Sequence, residues 1–410
     1  MASDIKNIVI LGGSYAGVST AHYLLKHVLP KLPNKGAYKV ILVSTSDQAM
    51  CRPACPRAMI SDDMLPQEKL FVSIVKAFEQ YPQGTFHFIK GTATELDHTT
   101  RDVSLSLPDG TTQKINFYAL VIATGASTPS PLLGLNRDVE HLRSSWTAFR
   151  QALPSAKKIV LVGGGPTGIE TAGELGEYLN GRAGWFRSKL VRPKVDITVV
   201  TAAIRILRIL RPSLAEQAET YLAKVGVTVL KNARVTAVEP QDAGTEEVAS
   251  KAMIVLQSGR KLDADLYIPA AGTMPNTSFV KKTLLMSDGR VDTNPSTLRV
   301  DKAGPRIYAI GDAASYARPG VHLILSAVPV LCTNIEHDLL QVVGKPSGED
   351  RLYQEDKRET QMVPIGKSKG VGAAMGYKMP SFLVWLIKGR DYWLWTTGNL
   401  WSGKQWAKPS

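Results

Sequence analysis

Two glycine-rich loops, each between an apolar run and a helix-forming stretch, most constrain the fold of this chain. The first is Ile8–Gly17, with the sequence IVILGGSYAG, and the second is Ile159–Gly168, with the sequence IVLVGGGPTG. A strand that turns through glycines into a helix presents backbone N–H groups and the helix N-terminus to a pyrophosphate. One copy is a weak signal, but two copies in one chain predict two dinucleotide sites.

The two loops differ at one glycine position. Ser14 stands where the motif has its second glycine, whereas Gly165 fills that position in the second loop. A serine is tolerated there if its Cβ points away from the pyrophosphate or if its hydroxyl bonds to it. Two such loops are typical of a flavoenzyme that takes electrons from a nicotinamide, and we expect the resident flavin at the first loop.

The residues that end the second strand of each unit bear on which nucleotide binds. An acidic residue there holds the adenosine ribose of NAD, whereas a nearby arginine accommodates a 2′-phosphate. Here the positions are Ser44 and Thr201. Ser44 can still accept a hydrogen bond from a ribose hydroxyl. Because Arg205 and Arg208 follow Thr201, both NADH and NADPH remain open, with a slight preference for NADH.

Two later strand ends fit a flavin site. Ala123-Thr124-Gly125 ends an apolar strand with small residues that can pass close to a cofactor, and Gly311-Asp312 ends a later one. A carboxylate at Asp312 can accept hydrogen bonds from the ribityl hydroxyls of a flavin. Gly272 turns the chain after the last strand of the second unit. Arg57, beyond the second strand, could reach a pyrophosphate oxygen, and a surface position is equally consistent with the sequence.

The net charge of +13 fits nucleic acid, an anionic membrane surface or anionic cofactors as partners. The sequence has no basic block, zinc-ligand spacing or recognition-helix pattern, which argues against nucleic acid. The seven histidines show no ligand spacing, and we expect no metal site.

The cysteines and the N-terminus bear on localisation. Three cysteines are too few for a secreted disulfide framework, so we expect an intracellular protein. Cys51 and Cys55 do not have the spacing of disulfide reductases, and we interpret them as unpaired thiols. The first strand begins by Ile8, which leaves no room for a signal peptide, and Ala2 is not a myristoylation site. No apolar stretch approaches the roughly 20 residues of a spanning helix.

The C-terminal tail is rich in tryptophans and cations. It contains five of the seven tryptophans, and between residues 367 and 408 it has seven cations and one anion. The tryptophans are Trp385, Trp393, Trp395, Trp401 and Trp406. This pattern suits a bilayer interface, where an apolar quinone would be collected. The alternative is that the tryptophans pack on their own domain or on a second copy of the chain.

A second basic segment, residues 181–194, has five cations, two aromatics and no anion. It could touch a membrane, but we favour a solvated loop.

These landmarks, in this order, resemble the flavoproteins with two dinucleotide-binding domains. That superfamily includes disulfide reductases, type II NADH dehydrogenases and apoptosis-inducing-factor-like oxidoreductases. The tail segments Gly366–Gly372 and Phe382–Trp393 are similar to the ferroptosis suppressor branch of the last group, and the chain looks like a fungal-type member. Animal members carry a lipidated glycine at the position of Ala2, so this departure puts targeting by a lipid in doubt.

The resemblance implies FAD as prosthetic group, NADH or NADPH as donor and a ubiquinone-type acceptor. It implies that Glu170 lies near the nicotinamide and the flavin, and that Lys388 and Trp393 close over the flavin edge. The residues assigned to cofactor binding are Gly12, Gly13, Ser14, Tyr15, Ala16, Gly17, Ser44, Arg57, Ile89, Ala123, Thr124, Gly125, Gly163, Gly165, Thr167, Gly168, Glu170, Gly272, Gly311 and Asp312.

Two of these side chains also have simpler interpretations. Glu170, two residues past Gly168, can orient a carboxamide, but a charge there also favours a helix N-terminus. Lys388 can stabilise an anionic reduced flavin or a quinol oxyanion, but it could equally be a lysine whose stem lies along an apolar surface.

We therefore expect an α/β fold with two Rossmann-like domains, for FAD and NAD(P)H, and a C-terminal α+β tail domain. The expected boundaries are 1–150 and 278–345 for the FAD domain, 151–277 for the NAD(P)H domain and 346–410 for the tail. The expected function is a peripheral membrane NAD(P)H:quinone oxidoreductase at a cytoplasmic or mitochondrial surface. The alternatives are a soluble flavin reductase or oxidase with another acceptor, or a redox-gated binding protein.

Overall fold

A computed structural model describes residues 5–346 and 348–409. The strands are β1 Lys6–Leu11, β2 Tyr38–Ser44, β3 Gln48–Met50, β4 Phe71–Ser73, β5 Phe86–Lys90, β6 Thr92–Asp97, β7 Asp102–Ser106, β8 Thr112–Asn116, β9 Ala119–Ile122, β10 Ala126–Ser127, β11 Lys158–Val162, β12 Asp196–Val200, β13 Val227–Leu230, β14 Val235–Glu239, β15 Ala252–Leu256, β16 Lys261–Ala264, β17 Leu266–Pro269, β18 Met274–Pro275, β19 Ile307–Ala309, β20 Gln361–Ile365, β21 Lys369–Ala374 and β22 Tyr377–Lys378.

The α-helices are α1 Tyr15–Tyr23, α2 Cys55–Ala58, α3 Ile74–Phe78, α4 Val139–Ala152, α5 Pro166–Asn180, α6 Pro212–Ala223, α7 Val321–Val342, α8 Ser381–Val384 and α9 Leu394–Trp401. Single turns of 3₁₀ or π helix lie at Leu24–Val28, Leu29–Lys31, Lys35–Ala37, Arg52–Ala54, Gln67–Lys69, Pro131–Leu133, Leu153–Ser155, Lys282–Leu284, Asp301–Ala303, Gly311–Ala313, Trp385–Gly389 and Lys404–Trp406.

The first nucleotide unit is built on a parallel sheet with the strand order β19-β9-β1-β2-β5. Its strands are continuous apolar runs because both faces of the sheet are covered: Ile8, Val9 and Ile10 are fully buried. Helix α1 leaves the end of β1 and packs against α7. A small antiparallel sheet, β6-β7-β8, is inserted between β5 and β9.

The second unit repeats this plan with the parallel order β13-β12-β11-β17. Helix α5 leaves the end of β11, as α1 leaves β1, and the antiparallel sheet β14-β15-β16 precedes β17. The two units are joined by a short antiparallel pair, β10 with β18. The expected pair of Rossmann-like cores is confirmed.

The tail consists of the antiparallel sheet β20-β21-β22 followed by α8 and α9. It touches both units: Ile365 packs on Gly173 of α5, and Trp401 packs on Tyr15 of α1. The α/β class with an α+β tail is therefore confirmed, whereas the expected boundaries at 150, 277 and 345 stay predictions.

Helix α7 corrects the expectation that no stretch is long and apolar enough to span a membrane. Val321–Val342 has 22 residues and a mean hydropathy of 1.3, which meets that test by length and composition. The sequence pattern hides it because Asn334, Glu336 and Asp338 interrupt its apolar run. Within the fold, 61% of its apolar window is buried.

Candidate active site

A cleft of about 910 Å³ is lined by both nucleotide units and the tail. The expected site residues that line it are Gly12, Gly13, Ser14, Tyr15, Ala16, Ser44, Ala123, Thr124, Gly125, Thr167, Glu170, Gly311, Asp312, Lys388 and Trp393. Residues separated by hundreds of positions in the chain thus meet at one place. The carboxyl ends of the parallel strands are where such folds bind ligands.

The first glycine loop is shaped by close contact between backbones. Gly12 has φ of 118°, and a Cβ on it would overlap the carbonyl oxygen of Ala123. A Cβ on Gly13 would lie 2.7 Å from Oγ of Ser44, and a Cβ on Gly17 would overlap the carbonyl oxygen of Gly12. Only glycines therefore allow this turn. The first N–H groups of α1, which have no intrahelical partner, are left at the cleft.

The second loop repeats this geometry residue by residue. Gly163 has φ of 144°, and a Cβ on it would overlap the carbonyl oxygen of Ala270. A Cβ on Gly164 would lie 2.8 Å from Oγ1 of Thr201, and one on Gly168 would overlap the carbonyl oxygen of Gly163. The glycines at Gly12 and Gly163 let the loop backbone contact the neighbouring strand end, and the helix N-terminus that follows each loop fits the pyrophosphate of a dinucleotide.

Ser14 causes no backbone strain. Its φ is −117°, and the matching Gly165 has φ of −79°, so both lie in regions open to any residue. A Cβ built on Gly165 meets nothing within 4 Å. The position therefore faces open space in the second loop, and Ser14 lines the cleft at the same place in the first.

The carboxylate of Asp312 also lines the cleft. Asp312 accepts no hydrogen bond from any residue within 5–346 and 348–409, and burial raises its pKa. Ribityl hydroxyls would satisfy such a group. Nearby, the Thr124 hydroxyl donates to the carbonyl of Asn276 at 2.7 Å, and Nδ2 of Asn276 donates back to the carbonyl of Thr124 at 2.9 Å. This reciprocal pair fixes the crossing between the two units.

Arg57 does not line the cleft, and its expected contact with the flavin pyrophosphate stays a prediction. Its guanidinium is directed at a carboxylate of the second unit: Nη2 donates to Glu174 at 2.7 Å and Nε donates at 3.0 Å. Arg52 lines the cleft instead, and its Nη1 donates to the carbonyl of Ala126 at 2.7 Å. Both arginines follow β2 in the chain, and nothing in the sequence indicates which of them faces the cleft.

Glu174 and Arg57 hold a tail tyrosine between them. The hydroxyl of Tyr392 donates to Glu174 at 2.9 Å, and the guanidinium carbon of Arg57 lies 4.7 Å from the ring centre. Tyr392 is fully buried and has φ of 54°, and Trp393 after it has φ of 68°. Two consecutive left-handed residues that are not glycine are costly, so the buried ion pair stabilises this turn of the tail.

Lys388 of the tail binds Glu170 of α5. Its Nζ donates to Oε1 of Glu170 at 2.5 Å and to the carbonyl of Met362 at 3.1 Å. The same Nζ lies 4.9 Å from the ring centre of Trp393. Glu170 is 3% exposed and Lys388 is 6% exposed. A buried charge pair of this kind, at the wall of a cleft, marks a functional site.

Burial dominates the acidity of Glu170. Desolvation raises its pKa to about 7, although the Lys388 ammonium favours the ionised form. Glu174, one helical turn along α5, adds to the rise. The carboxyl therefore changes its protonation state near neutral pH, which suits a group that responds to charge in a bound cofactor.

The remaining expected residues do not line the cleft. They are Gly17, Ile89, Gly163, Gly165, Gly168 and Gly272. Gly17, Gly163 and Gly168 act through the backbone approaches described above, and Ile89 packs in the core at 8% exposure. The sequence reasoning also missed cleft residues, among them Gly91, Gln361 and Phe279. No motif marks these positions.

The tail tryptophans fall into two groups. Trp401 and Trp406 are 1% and 4% exposed and pack on the first unit, as the alternative interpretation had it. Nε2 of His22 donates to the carbonyl of Trp401 at 2.9 Å, while the Tyr81 hydroxyl lies 2.7 Å from Nδ1. Burial lowers the pKa of His22 to about 4, so the ring is neutral. Of the five tryptophans, Trp395 is the most exposed, at 57%.

The cysteines are free and buried, as expected. Burial raises the pKa of Cys51 to about 11 and of Cys55 to about 12, and neither lines the cleft. Because the thiolate is the reactive form, these thiols are poor nucleophiles. Among the residues that the structure describes, no group of three or more His, Cys, Asp or Glu is placed to hold a metal ion.

Comparison with known proteins agrees with this geometry. Residues 6–330 match the pyridine nucleotide-disulphide oxidoreductase family. The chain is 63% identical over 412 residues to oxidoreductase phnG of Penicillium herquei, covering 100% of this chain and 99% of that protein. It is 32% identical to oxidoreductase ptaL of Pestalotiopsis fici, covering 94% and 95%. It is 24% identical to human ferroptosis suppressor protein 1, covering 96% and 95%.

Solved structures share the fold at low identity. The sulfide:quinone oxidoreductase of Aquifex aeolicus has a TM-score of 0.68 at 15% identity, covering 97% of this chain and 92% of that one. NDH2 of Plasmodium falciparum, solved with NADH, has a TM-score of 0.64 at 15% identity and covers 99% of both chains. The resemblance to ferroptosis suppressor proteins is confirmed, and the chain belongs to the pyridine nucleotide-disulphide oxidoreductase family.

Proposed function

We propose that this oxidoreductase uses FAD and NAD(P)H to reduce a quinone at a membrane surface. The observation that carries the proposal is the buried Glu170–Lys388 pair beside Trp393, because it brings the second unit and the tail to one wall of the cleft. Relatives and fold neighbours named ferroptosis suppressor protein, NDH2 and sulfide:quinone oxidoreductase support it.

The first unit would hold the FAD. Backbone N–H groups of Gly13 to Ala16 would donate to the pyrophosphate, and Asp312 would accept from the ribityl chain. When bound, the flavin accepts a hydride from nicotinamide and passes electrons to an acceptor. The second loop, Gly163–Gly168, would bind the nicotinamide dinucleotide in the same way.

Glu170 and Lys388 would provide the electrostatics. Glu170, at the nicotinamide side, would accept a hydrogen bond from the carboxamide and stabilise positive charge that develops on the ring. Lys388 would donate a proton or a hydrogen bond to a quinone oxygen as negative charge develops there. Because the two groups are paired, the Lys388 ammonium favours the ionised form of Glu170, against the burial that raises the pKa of Glu170 to about 7.

The tail would provide the membrane contact. Phe382, Leu386 and Trp395 are 64%, 44% and 57% exposed, close to the cations Lys378 and Arg390. Such residues suit a headgroup region. Since Trp401 and Trp406 are buried in the fold, the contact would rest on the segment from Phe382 to Trp395 only.

The acceptor is tested with purified protein that carries its flavin absorbance. Oxidation of NADH and NADPH is followed in the presence of a short-chain ubiquinone, with oxygen alone as the control. We expect turnover with quinone at least ten-fold above turnover with oxygen. Equal rates would overturn the quinone acceptor and favour a soluble oxidase, while a protein that purifies without flavin would overturn the whole assignment.

The membrane contact needs a separate measurement. Flotation with liposomes is compared between the wild type and a Phe382→Ser, Trp395→Ser double variant, which keeps the buried part of the tail. Unchanged flotation would show that the tail is not the contact.

A further inference from the structure

The loop of residues 181–194, between α5 and β12, exposes two adjacent aromatic side chains. Trp185 is 86% exposed and Phe186 is 99% exposed, and Val191 further along is 59% exposed. Large apolar groups are rarely this exposed next to each other unless they contact a partner. Neither aromatic ring belongs to the cleft or to the tail.

Backbone hydrogen bonds hold the loop in shape. The N–H of Ala183 donates to the carbonyl of Lys224 at 2.8 Å, and that of Leu190 donates to the carbonyl of Ala223 at 2.9 Å. A turn at the tip is closed from Arg187 N–H to the carbonyl of Gly184 at 3.0 Å. Trp185 and Phe186 occupy the two central positions of this turn. Backbone hydrogen bonds thus fix both residues in an exposed turn.

Exposed cations follow the two aromatic residues along the loop. Arg187, Lys189, Arg192 and Lys194 are exposed and form no ion pair with any residue in 5–346 or 348–409. Lys224 adds its Nζ, 3.4 Å from the carbonyl of Trp185. The loop itself contains no acidic residue.

We propose that this loop, residues 181–194, is a membrane-docking loop for an anionic bilayer surface. Indole and phenyl rings enter the headgroup region, where Trp is favoured, while the cations above them bind anionic headgroups. The occupant must be anionic and must accept apolar groups. A second copy of this chain fits poorly, because its net charge is also +13.

The base of the loop contacts the tail hairpin at Ile365 and Lys367. Nη2 of Arg182 donates to the carbonyl of Ile365 at 2.8 Å, and the N–H of Lys367 donates to Glu177 at 2.7 Å. Arg182 and Glu177 also form an ion pair at 2.7 Å. This inference goes beyond the proposed function, and it concerns binding to lipid without any quinone or nicotinamide.

The test is flotation of the flavin-loaded full chain with two kinds of vesicle. One is pure phosphatidylcholine, and the other also contains about 30% phosphatidylserine. We expect binding to the anionic vesicles that weakens as salt is raised. Trp185→Ser with Phe186→Ser should weaken it about ten-fold. The triple variant Arg187→Gln, Lys189→Gln, Arg192→Gln should also weaken it, by about five-fold for each cation removed.

Matched controls use exposed residues elsewhere. Val75→Ser with Leu352→Ser removes two exposed apolar side chains, which are 46% and 66% exposed. Lys35→Gln, Lys345→Gln and Lys357→Gln remove three exposed cations. Both control variants should float as the wild type does, and all variants should keep the flavin absorbance and NADH oxidation of the wild type.

Three outcomes would overturn the proposal. The first is a wild type that binds neither kind of vesicle, and the second is equal flotation of the aromatic variant and the wild type. The third is a loop variant that keeps vesicle binding but loses self-association in sedimentation or binding to a single-stranded oligonucleotide. Vesicle binding that falls with the loop variants, in a protein inactive with quinone, would uphold the docking loop and remove only the quinone assignment.

Discussion

The two glycine loops have the same backbone and different surroundings. In each, the first glycine N–H donates to the second strand, from Gly12 to Val43 at 2.8 Å and from Gly163 to Val200 at 2.9 Å. In each, the last glycine packs under the first. The backbone geometry therefore fits a dinucleotide at each loop, but it does not distinguish the proposed FAD site from the proposed NAD(P)H site.

The two loops differ in the helices that follow them, α1 after the first loop and α5 after the second. Two residues past the last glycine, α1 has Ser19, which is fully buried and whose hydroxyl has no hydrogen-bond partner among the residues that the structure describes. At the same position α5 has Glu170, paired with Lys388. Six residues past it, α1 has Tyr23, against the Trp406 ring, and α5 has Glu174, bonded to Tyr392.

Both helices therefore hold the tail, the first through aromatic packing and the second through buried charge. The apolar surroundings of α1 suit a cofactor that stays bound. The charged surroundings of α5 suit a cofactor that changes its charge and then dissociates.

The largest effect is expected from an alanine at the first glycine of either loop. Gly12→Ala forces a Cβ onto the carbonyl of Ala123 at a φ that alanine avoids, at a cost of about 2–5 kcal/mol. The variant should purify without flavin absorbance. Gly163→Ala should keep the flavin and weaken nicotinamide binding by roughly 100-fold. Flavin lost from the second variant and kept by the first would reverse the assignment of the two loops.

Removing one partner of the Arg57–Glu174 pair should destabilise the fold. Arg57→Met leaves Glu174 buried without its cation and should lower the free energy of unfolding by about 3–5 kcal/mol, measured by denaturant titration. A Glu174→Met change in the same chain should recover most of this loss. If Arg57→Met instead loses flavin at unchanged stability, the arginine is a cofactor ligand after all.

Turnover should depend on the Glu170–Lys388 pair beside the second loop and not on Ser19, which has the position of Glu170 in the first unit. Glu170→Gln and Lys388→Met should each lower turnover roughly 100-fold while FAD stays bound. Ser19→Ala, the matched change in α1, should leave turnover within about two-fold, because its hydroxyl has no partner. A Glu170→Gln variant with wild-type stopped-flow flavin reduction would remove its proposed role.

Flavin reduction and stability should both depend on pH through Glu170, which belongs to the second unit. Since burial raises the pKa of Glu170 to about 7, the carboxylate is present above that pH and flavin reduction should speed up as pH rises through it. The raised pKa also means that Glu170 favours folding below its ordinary value of 4.5, an advantage lost as pH rises to about 7. Glu170→Gln should abolish both trends, seen in stopped-flow rates and in melting temperatures.

The smallest effect is expected where the loops differ in sequence. Ser14→Gly and Gly165→Ser both act at an ordinary negative φ beside open space, so each should change stability by less than about 1 kcal/mol. Flavin and nicotinamide affinities are the measurement. A large loss of flavin in Ser14→Gly would mean that the serine hydroxyl is itself a ligand.

Local sequence was enough to predict both loops, the small residues after β9 and the carboxylate Asp312. These features are read within about ten residues, because a tight turn needs glycine and a parallel strand needs a continuous apolar run. The same reasoning does not decide where Arg57 lies, since an arginine five residues from Arg52 can face either the cleft or a buried carboxylate.

The sequence by itself predicted the oxidoreductase family and two loops of the dinucleotide-binding type, since the backbone contacts at Gly12 and Gly163 leave room for glycine alone. Tertiary structure decided which charges meet: Glu170 with Lys388 and Arg57 with Glu174 are far apart in the chain and become partners only when α5 packs against the tail. It also decided that Trp401 and Trp406 are core and that Trp185 and Phe186 are surface. A tryptophan is the same residue whether it is buried or exposed, so only the packing around it decides which it is.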